Sequence, residues 1–127
     1  MSVNIAIDGP AGAGKSTIAK AVAKELEFIY VDTGAMYRAM ALHLLRQGIV
    51  PGEEAQMDAA CENAEISIVY ENGAQQVLLN GENVTGDLRR EEVGNMASVS
   101  SARPRIREKL VELQRVLASQ TDVVMDG

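Results

Sequence analysis

The feature that most constrains this chain is a glycine-rich motif near its start, G-x-x-x-x-G-K-[ST] at positions 9–16. A short apolar run from Val3 to Ile7 precedes the motif, and apolar residues at helical spacing follow Lys15. In this order of strand, loop and helix, backbone N–H groups can converge on phosphate oxygens at a helix N-terminus. A loop that only turns the chain needs neither Lys15 nor Ser16. The motif therefore predicts a site for a nucleoside triphosphate.

The side chains of the motif indicate how the triphosphate is held. Lys15 is placed to reach the β- and γ-phosphates, and the Ser16 hydroxyl is a suitable ligand for the Mg²⁺ that accompanies ATP. Thr17 supplies a second hydroxyl. We assign ATP binding to Gly9, Pro10, Ala11, Gly12, Ala13, Gly14, Lys15, Ser16 and Thr17.

Alternating strand-like and helical patterns predict an α/β fold. The first helix carries an apolar stripe that we expect to face a sheet, formed by Ile18, Ala19, Val22, Ala23 and Leu26. Phe28 to Val31 predicts a second strand, and a second helix begins near Thr33 and stops near Gly48. Short alternation of this kind favours parallel strand pairing through a crossover.

The segment from Glu53 to Leu88 differs in character, with eight acidic residues and no basic one. After a helix near residues 53–63, strand-like runs at 66–70 and 75–79 flank Asn72-Gly73, a strong hairpin signal, and Asn80-Gly81 predicts a further turn. We expect residues 51–88 to form a small antiparallel insert on a single core domain made of 1–50 and 89–127.

The remainder returns to the α/β pattern. Pro104 suits a helix start, and the apolar stripe that follows is formed by Ile106, Leu110, Leu113 and Leu117. A further strand begins at Asp122 and stops abruptly at Gly127. Because an α/β domain rarely ends on a strand with no closing helix, we expect the chain to be cut short.

Composition excludes several classes of protein. A net charge of −6 and 3% aromatic residues argue against nucleic-acid binding. The lone Cys61 excludes an internal disulfide and a cysteine metal cluster, and we expect it to be a buried apolar side chain. The first residues lack the basic region of a secretory signal, and no apolar run reaches membrane-spanning length. We expect a cytoplasmic protein without membrane or nucleic-acid partners.

A triphosphate site alone does not identify the acceptor of the phosphoryl group. A GTPase is expected to carry an Asn/Thr-Lys-x-Asp element that reads guanine, and the sequence contains none. An ATPase motor or transporter module requires far more chain. The pattern therefore favours a small-molecule kinase.

The loop at positions 9–17, followed by Asp32-Thr33-Gly34-Ala35-Met36-Tyr37-Arg38, resembles bacterial cytidylate kinases, which phosphorylate CMP and dCMP with ATP. The acidic segment looks like the family's insert for the nucleoside monophosphate. The stretches 95–98 and 103–107 look like its substrate-contacting region, and Asp126-Gly127 looks like the start of its Asp-Gly-Arg-Asp motif. The resemblance implies a P-loop fold of the nucleoside monophosphate kinase type, with helices on both faces of a parallel sheet and the C-terminal part missing.

The resemblance also implies roles for particular residues. Asp32 and Thr33 would hydrogen-bond the sugar or base, although both also suit a helix cap. Arg38 would bind the substrate phosphate, Arg107 would lie near that phosphate and the base, and the Ser98 hydroxyl would help to read cytosine. The residues expected to carry catalysis are Lys15, Arg38 and Arg107. Ser16 and Asp126 would serve Mg²⁺, with helix capping as the alternative role for Asp126.

Other polar residues in these stretches have structural interpretations. We expect Arg103 and Arg105 to be solvated, and His43 to be a structural histidine on an apolar helix rather than a base.

The resemblance predicts further arginines after Gly127, on a lid segment that the chain lacks. Without them we expect this chain to be weakly active or inactive. The alternatives are a nucleotide-binding fragment without turnover and a kinase for another monophosphate such as UMP. ATP and CMP or dCMP are the expected partners, and we expect a monomer.

Overall fold

The computed structural model describes residues 2–7, 14–71 and 73–126, and for Ser16 and Asp126 it describes the backbone alone. The strands are β1 (Asn4–Ile7), β2 (Ile29–Tyr30), β3 (Ile66–Glu71), β4 (Ala74–Leu79), β5 (Glu82–Asn83) and β6 (Val123–Asp126). The α-helices are α1 (Lys15–Leu26), α2 (Thr33–Arg46), α3 (Glu54–Ala60), α4 (Glu91–Ser100) and α5 (Pro104–Gln120). Short 3₁₀ helices cover Cys61–Asn63 and Thr85–Arg89.

A parallel sheet with the order β1, β6, β2 contains the first and last strands. Val123 aligns with Asn4 of β1 on one side and with Ile29 of β2 on the other. The predicted parallel pairing is confirmed, but β1 and β2 pair through β6 rather than with each other. The sheet therefore depends on a strand that lies far along the chain.

Alternate residues of β2 and β6 point to opposite faces of this sheet, where two separate apolar cores form. Ile29 and Val123 belong to the large core, and Tyr30 and Val124 belong to the small core. The large core also contains buried side chains of α2, α4, α5 and the second sheet, among them Met36, Met40, Leu44, Ile68, Val77, Met96, Ile106 and Leu110. The small core consists of Ala19, Ala23, Tyr30 and Val124. The predicted α/β fold with helices on both faces is confirmed.

Helix α2 is buried along most of its length because it packs against α4, β3 and β4. Met36 and all residues from Ala39 to Leu44 are buried, as expected for a helix enclosed on several sides. His43 lies within this run, and its Nε2 donates a hydrogen bond to the carbonyl of Ala60 at 3.0 Å. His43 is thus the structural histidine that the sequence predicts.

The second sheet is antiparallel, with the order β3, β4, β5. Gly73 in the predicted hairpin has a φ of 79°, and Asn80 and Gly81 between β4 and β5 have φ values of 50° and 85°. These positive values explain the Asn-Gly pattern, because asparagine and glycine adopt this conformation most readily. At the far end of the sheet, Arg46 donates from Nη1 and Nη2 to the Glu82 carboxylate, both at 3.0 Å. Both predicted turns are confirmed.

Helix α1 departs from its predicted stripe. Ala19 and Ala23 are buried against the sheet, whereas Ile18 is 52% exposed and Leu26 is 45% exposed. Ile18 lies about 100° around the helix from its neighbour Ala19, at one side of the stripe, and Leu26 lies in the last turn of α1, so the contact with the sheet covers neither side chain. The prediction that Ile18 and Leu26 face the sheet is wrong.

Helix α5 buries the predicted residues Ile106, Leu110, Leu113 and Leu117. No described helix combines the length and apolarity needed to cross a membrane.

Ion pairs join the start of α5 to α3 and the 3₁₀ helix that follows it. Arg103 donates from Nε and Nη2 to the two carboxylate oxygens of Asp58, at 3.1 and 2.6 Å, and its Nη1 pairs with Glu54. Arg105 pairs with Glu62. Both arginines are half-buried, because they hold neighbouring elements together. The prediction that they are solvated is therefore wrong.

Cys61 lies beside these pairs and is fully buried, as predicted. Burial raises the pKa of its thiol.

Candidate functional site

The C-terminal ends of the parallel strands lie at one edge of the sheet, because β1, β2 and β6 run in the same direction. The predicted ATP loop leaves this edge after Ile7. Its residues Gly9, Pro10, Ala11, Gly12 and Ala13 lie outside the described residues. Ligands of open α/β sheets bind at this kind of edge.

The described end of the loop is Gly14, which has a φ of 75° and accepts the first backbone hydrogen bond of α1, from Ile18 N to its carbonyl oxygen at 3.0 Å. A glycine is favoured here because its φ is positive. Lys15 is half-buried as the first residue of α1, Ser16 is the second, and Thr17 is exposed. The first turn holds no acidic residue, so its side chains do not neutralise the positive end of the helix dipole.

A cleft of about 400 Å³ lies between the start of α2 and the second sheet. Its α2 wall is formed by Asp32, Gly34, Ala35 and Arg38. The opposite wall is formed by Ile68, Gln75, Val77, Thr85, Leu88 and Arg89. Since Asp32 follows β2, the cleft lies at the same sheet edge as the start of α1.

Asp32 caps α2 and also lines the cleft. Its Oδ1 accepts a hydrogen bond from the backbone N–H of Ala35 at 3.1 Å, which makes it the N-cap of α2. It also lines the cleft. Thr33 is half-buried as the first residue of α2 and is not among the residues that line the cleft.

The cleft is bordered by two arginines. Arg38 is exposed on α2 and donates from Nη1 to the carbonyl oxygen of Leu88 at 3.3 Å, which bridges the two walls. Arg89 follows on the opposite wall. Among the described residues that line the cleft, Asp32 is the one acid. Two guanidinium groups beside one carboxylate suit an anionic ligand with hydroxyl or amine groups.

Ser98 and Arg107 lie elsewhere in the described structure. Ser98 is exposed on α4 and donates to the carbonyl oxygen of Gly94 at 3.2 Å. Arg107 is exposed on α5, beside a surface groove that it shares with Val111 and Arg115. Neither residue lines the cleft, so the structure brings Asp32 and Arg38 together without these two. Asp126 ends β6, and its backbone aligns with Ile7 at the C-terminal edge of the sheet.

Sequence reasoning missed three polar residues of the cleft, Gln75, Thr85 and Arg89. Arg89 carried a signal, since it is the first basic residue after the acidic run from 53 to 88. Gln75 carried none, because a glutamine near the start of a strand is equally compatible with an exposed position. The hydrogen bonds of Gln75 become visible only when β2 and β4 are placed side by side.

The fold and site define a class of protein. The first strand of a parallel sheet is followed by a G-x-x-x-x-G-K-S motif and a helix. A cleft lies between the next helix and a small antiparallel sheet. This is the P-loop α/β fold of the nucleoside monophosphate kinase type. A sequence model of the family described as cytidylate kinase matches residues 5–127. The chain belongs to the cytidylate kinase family.

Individual relatives agree with this assignment. The chain is 50% identical over 125 residues to a cytidylate kinase of Caldicellulosiruptor saccharolyticus, covering 98% of this chain and 55% of the relative. It is 50% identical over 126 residues to a cytidylate kinase of Desulfitobacterium hafniense, covering 99% and 54%. A cytidylate kinase of Halalkalibacterium halodurans is 45% identical over 125 residues, covering 98% and 56%. The chain thus spans about half the length of the curated relatives that it matches.

Proposed function

We propose that the protein transfers the γ-phosphate of ATP to CMP or dCMP, giving ADP and CDP or dCDP. The observation that carries this proposal is the cleft beside α2, where Asp32, Arg38 and Arg89 meet at the sheet edge from which the glycine-rich loop begins. Membership of the cytidylate kinase family supports the choice of acceptor. In this proposal residues 51–88 form the insert that binds the monophosphate, and the remaining residues form the core.

ATP is held by the loop Gly9 to Thr17. Backbone N–H groups and the N-terminus of α1 attract the phosphates, and Lys15 neutralises the charge on the β- and γ-phosphates. The left-handed φ of Gly14 supports this role, since it is the conformation in which the loop enters the helix.

Mg²⁺ is assigned to Ser16 and Asp126, and the backbone positions of both residues fit that assignment. Ser16 lies in the first turn of α1, and Asp126 aligns with Ile7, where the chain enters the loop. No group of three His, Cys, Asp or Glu suited to a metal lies within the described residues. A magnesium ion takes one or two protein oxygens and completes its shell with phosphates and water, so the Ser16 hydroxyl and the Asp126 carboxylate suffice for this assignment. When bound, the ion neutralises charge on the phosphates.

The monophosphate is held in the cleft. Arg38 and Arg89 are the donors for its phosphate, because both are arginines that line the cleft from opposite walls. Asp32, with Thr33, serves the sugar or the base. On the family resemblance, Arg107 is assigned to the phosphate and the adjacent base, and Ser98 is assigned to cytosine. Both residues lie outside the cleft lining in this structure.

The reaction requires no general base from the protein. An oxygen of the CMP phosphate, already ionised near neutral pH, forms the new bond to the γ-phosphorus. The bond from that phosphorus to the β–γ bridging oxygen breaks, and its electron pair leaves with ADP. The protein contributes alignment of the two nucleotides and neutralisation of the transferring group by Lys15, Arg38 and Arg107.

The test is ADP formation by the purified chain with Mg²⁺-ATP and CMP, dCMP, UMP or AMP in turn. We expect weak turnover that is greatest with CMP or dCMP. It should fall by about 10²-fold or more in Lys15→Ala, which removes a positive charge from beside the transferring phosphates. Preference for UMP or AMP would overturn the choice of acceptor.

A calorimetric titration with CMP distinguishes the remaining alternative. Tight CMP binding without ADP formation would indicate a nucleotide-binding chain without turnover and would contradict the proposed activity. Absence of both would contradict the proposed site as well.

A further inference from the structure

The backbone of Tyr30 faces away from the rest of the parallel sheet. Its neighbours in sequence, Ile29 and Val31, donate their N–H groups to the carbonyl oxygens of Asp122 and Val124, at 3.0 and 2.9 Å. Backbone groups of successive residues in a strand point to opposite sides. The N–H and C=O groups of Tyr30 therefore point to the side of β2 that is remote from β6.

The side-chain amide of Gln75 pairs with both of these groups. The N–H of Tyr30 donates to Oε1 of Gln75 at 2.5 Å, and Nε2 of Gln75 donates to the carbonyl oxygen of Tyr30 at 3.0 Å. A primary amide presents one donor and one acceptor side by side, as a neighbouring strand does. Gln75 thus continues the sheet by one residue, although it belongs to β4 of the other sheet.

This pairing lies at the wall of the cleft. Gln75 and Asp32 line the cleft, and both also line a neighbouring cavity of about 210 Å³ between α1 and the hairpin of β3 and β4. The two residues therefore separate these spaces. Because Tyr30 lies two positions before Asp32, the Gln75 pairing fixes β4 relative to the residue that caps α2.

A second bridge between the walls runs from Arg38 to the carbonyl oxygen of Leu88. Arg38 is also the group assigned to the substrate phosphate, so this bridge competes with the ligand for the same guanidinium. The Gln75 bridge uses a side chain to which the proposed reaction assigns no role. It can therefore hold the walls together both with and without a bound monophosphate.

We propose that Gln75 is a positioning residue that sets the spacing of the cleft walls and thereby the affinity for the nucleoside monophosphate. The proposal rests on the proposed function, since the cleft is taken as the CMP site. ATP is assigned to the loop before α1, and Gln75 has no role in that assignment. Gln75 should therefore act on CMP affinity and leave ATP affinity unchanged.

The test compares Gln75→Leu with Gln76→Leu. Leucine is close to glutamine in size but cannot pair with Tyr30. Gln76 is the matched control because it is the next residue of β4 and contacts Asn83 of β5 instead, accepting a hydrogen bond at 3.1 Å. We expect the Kd for CMP to rise about three- to tenfold in Gln75→Leu and to stay unchanged in Gln76→Leu. Calorimetric titrations with CMP and with ATP measure both affinities.

Amide hydrogen exchange supplies a readout that does not depend on nucleotide binding. We expect the Tyr30 amide to exchange faster in Gln75→Leu than in the parent chain or in Gln76→Leu, as measured by NMR. Gln75→Asn is the second variant, since it keeps the amide but is one methylene too short. Gln75→Asn should show the same faster Tyr30 exchange and weaker CMP binding, and it keeps the test decisive if Gln75→Leu folds poorly.

Two results would overturn the proposal. One is unchanged Tyr30 exchange in both Gln75 variants, which would show that the pairing is not maintained in solution. The other is an equal loss of CMP and ATP affinity, which would indicate general destabilisation. If the parent chain does not bind CMP, the proposed function fails and the positioning role fails with it, while the exchange experiment still decides whether the bridge exists.

Discussion

The large core and the small core bury side chains of different kinds on the two faces of one sheet. On the large-core side, long side chains such as Met36, Met40 and Leu44 are fully buried between helices and the second sheet. On the small-core side, α1 contributes alanines, and Ile18 and Leu26 remain largely exposed. Because α1 buries little apolar area, local opening of this helix should cost little free energy.

The two proposed sites depend on these cores differently. The cleft lies beside α2, whose buried residues belong to the large core, whereas Lys15 begins α1, which rests on the small core. We infer that the large core supports the α2 wall of the proposed monophosphate cleft firmly, in addition to the two bridges between the walls. The start of α1 has less support from the small core. Substitutions in the two regions test this difference.

The largest expected effect is on the free energy of unfolding, when a leucine is replaced by alanine in each of the two regions. Leu44→Ala should lower the free energy of unfolding by about 3 kcal/mol, because the truncation leaves a cavity in the large core. Leu26→Ala removes the same atoms from an exposed position on α1 and should cost about 0.5 kcal/mol or less. Urea unfolding measures both values. Equal costs would contradict the difference between the cores.

Arg38→Ala tests whether the cleft and the glycine-rich loop bind their nucleotides independently. CMP affinity should fall about 10- to 100-fold, because charge-assisted hydrogen bonds to the phosphate are lost. ATP affinity should stay the same. Arg115→Ala, at an exposed position on α5, is the control, and titration calorimetry gives all four values. A matching fall in ATP affinity would mean that the cleft and the loop act as one unit.

Asp32 allows its cap to be separated from its place in the cleft. Asp32→Ala should cost about 1 kcal/mol of stability, because the backbone N–H of Ala35 loses its acceptor. Asp32→Asn keeps a capping oxygen and should preserve stability while weakening CMP binding. Thermal unfolding and CMP titration measure the two effects. Undiminished CMP affinity in Asp32→Asn would show that Asp32 serves only as the N-cap of α2.

The smallest effect concerns the ion pair between α3 and α5. Hydrogen bonds from Arg103 hold the pKa of Asp58 below its usual range. A carboxyl whose pKa is lowered by folding stabilises the protein at neutral pH, and this contribution is lost as the pH falls below about 4. Asp58→Asn should therefore cost about 0.5 to 1 kcal/mol at pH 7, since the pair is partly exposed. Urea unfolding at pH 7 and pH 3 should show a smaller cost at the lower pH.

Sequence reasoning succeeded where the pattern is local. The Asn72-Gly73 hairpin signal, the Pro104 helix start and the stripe from Ile106 to Leu117 depend on chain conformation and spacing, and all three appear in the structure. The glycine-rich motif is equally local, and its phosphate-binding role stays a prediction. The chain's membership of the cytidylate kinase family agrees with that part of the analysis.

Predictions that depend on distant neighbours were less complete. Ile18 and Leu26 fit a helical stripe, but periodicity does not say how wide a face the sheet covers. The sequence does not indicate that Arg103 pairs with Asp58, because Asp58 lies on another helix. The prediction of a solvated Arg103 is wrong for that reason. The bridge from Gln75 to Tyr30 joins two strands of different sheets, a placement that only the assembled fold reveals.

The central position of β6 has a consequence for synthesis of the chain. Asn4 leaves the ribosome about 120 residues before its partner Val123. At 5 to 20 residues per second, β1 waits roughly 6 to 24 seconds for the strand that joins it to β2. The hairpin of β3 and β4 and the helix pair α2 and α4 emerge within that interval and can associate first. The parallel sheet cannot close before β6 has emerged, so the second sheet and the α2–α4 pair have time to form before β1, which precedes the glycine-rich loop, is joined to β2.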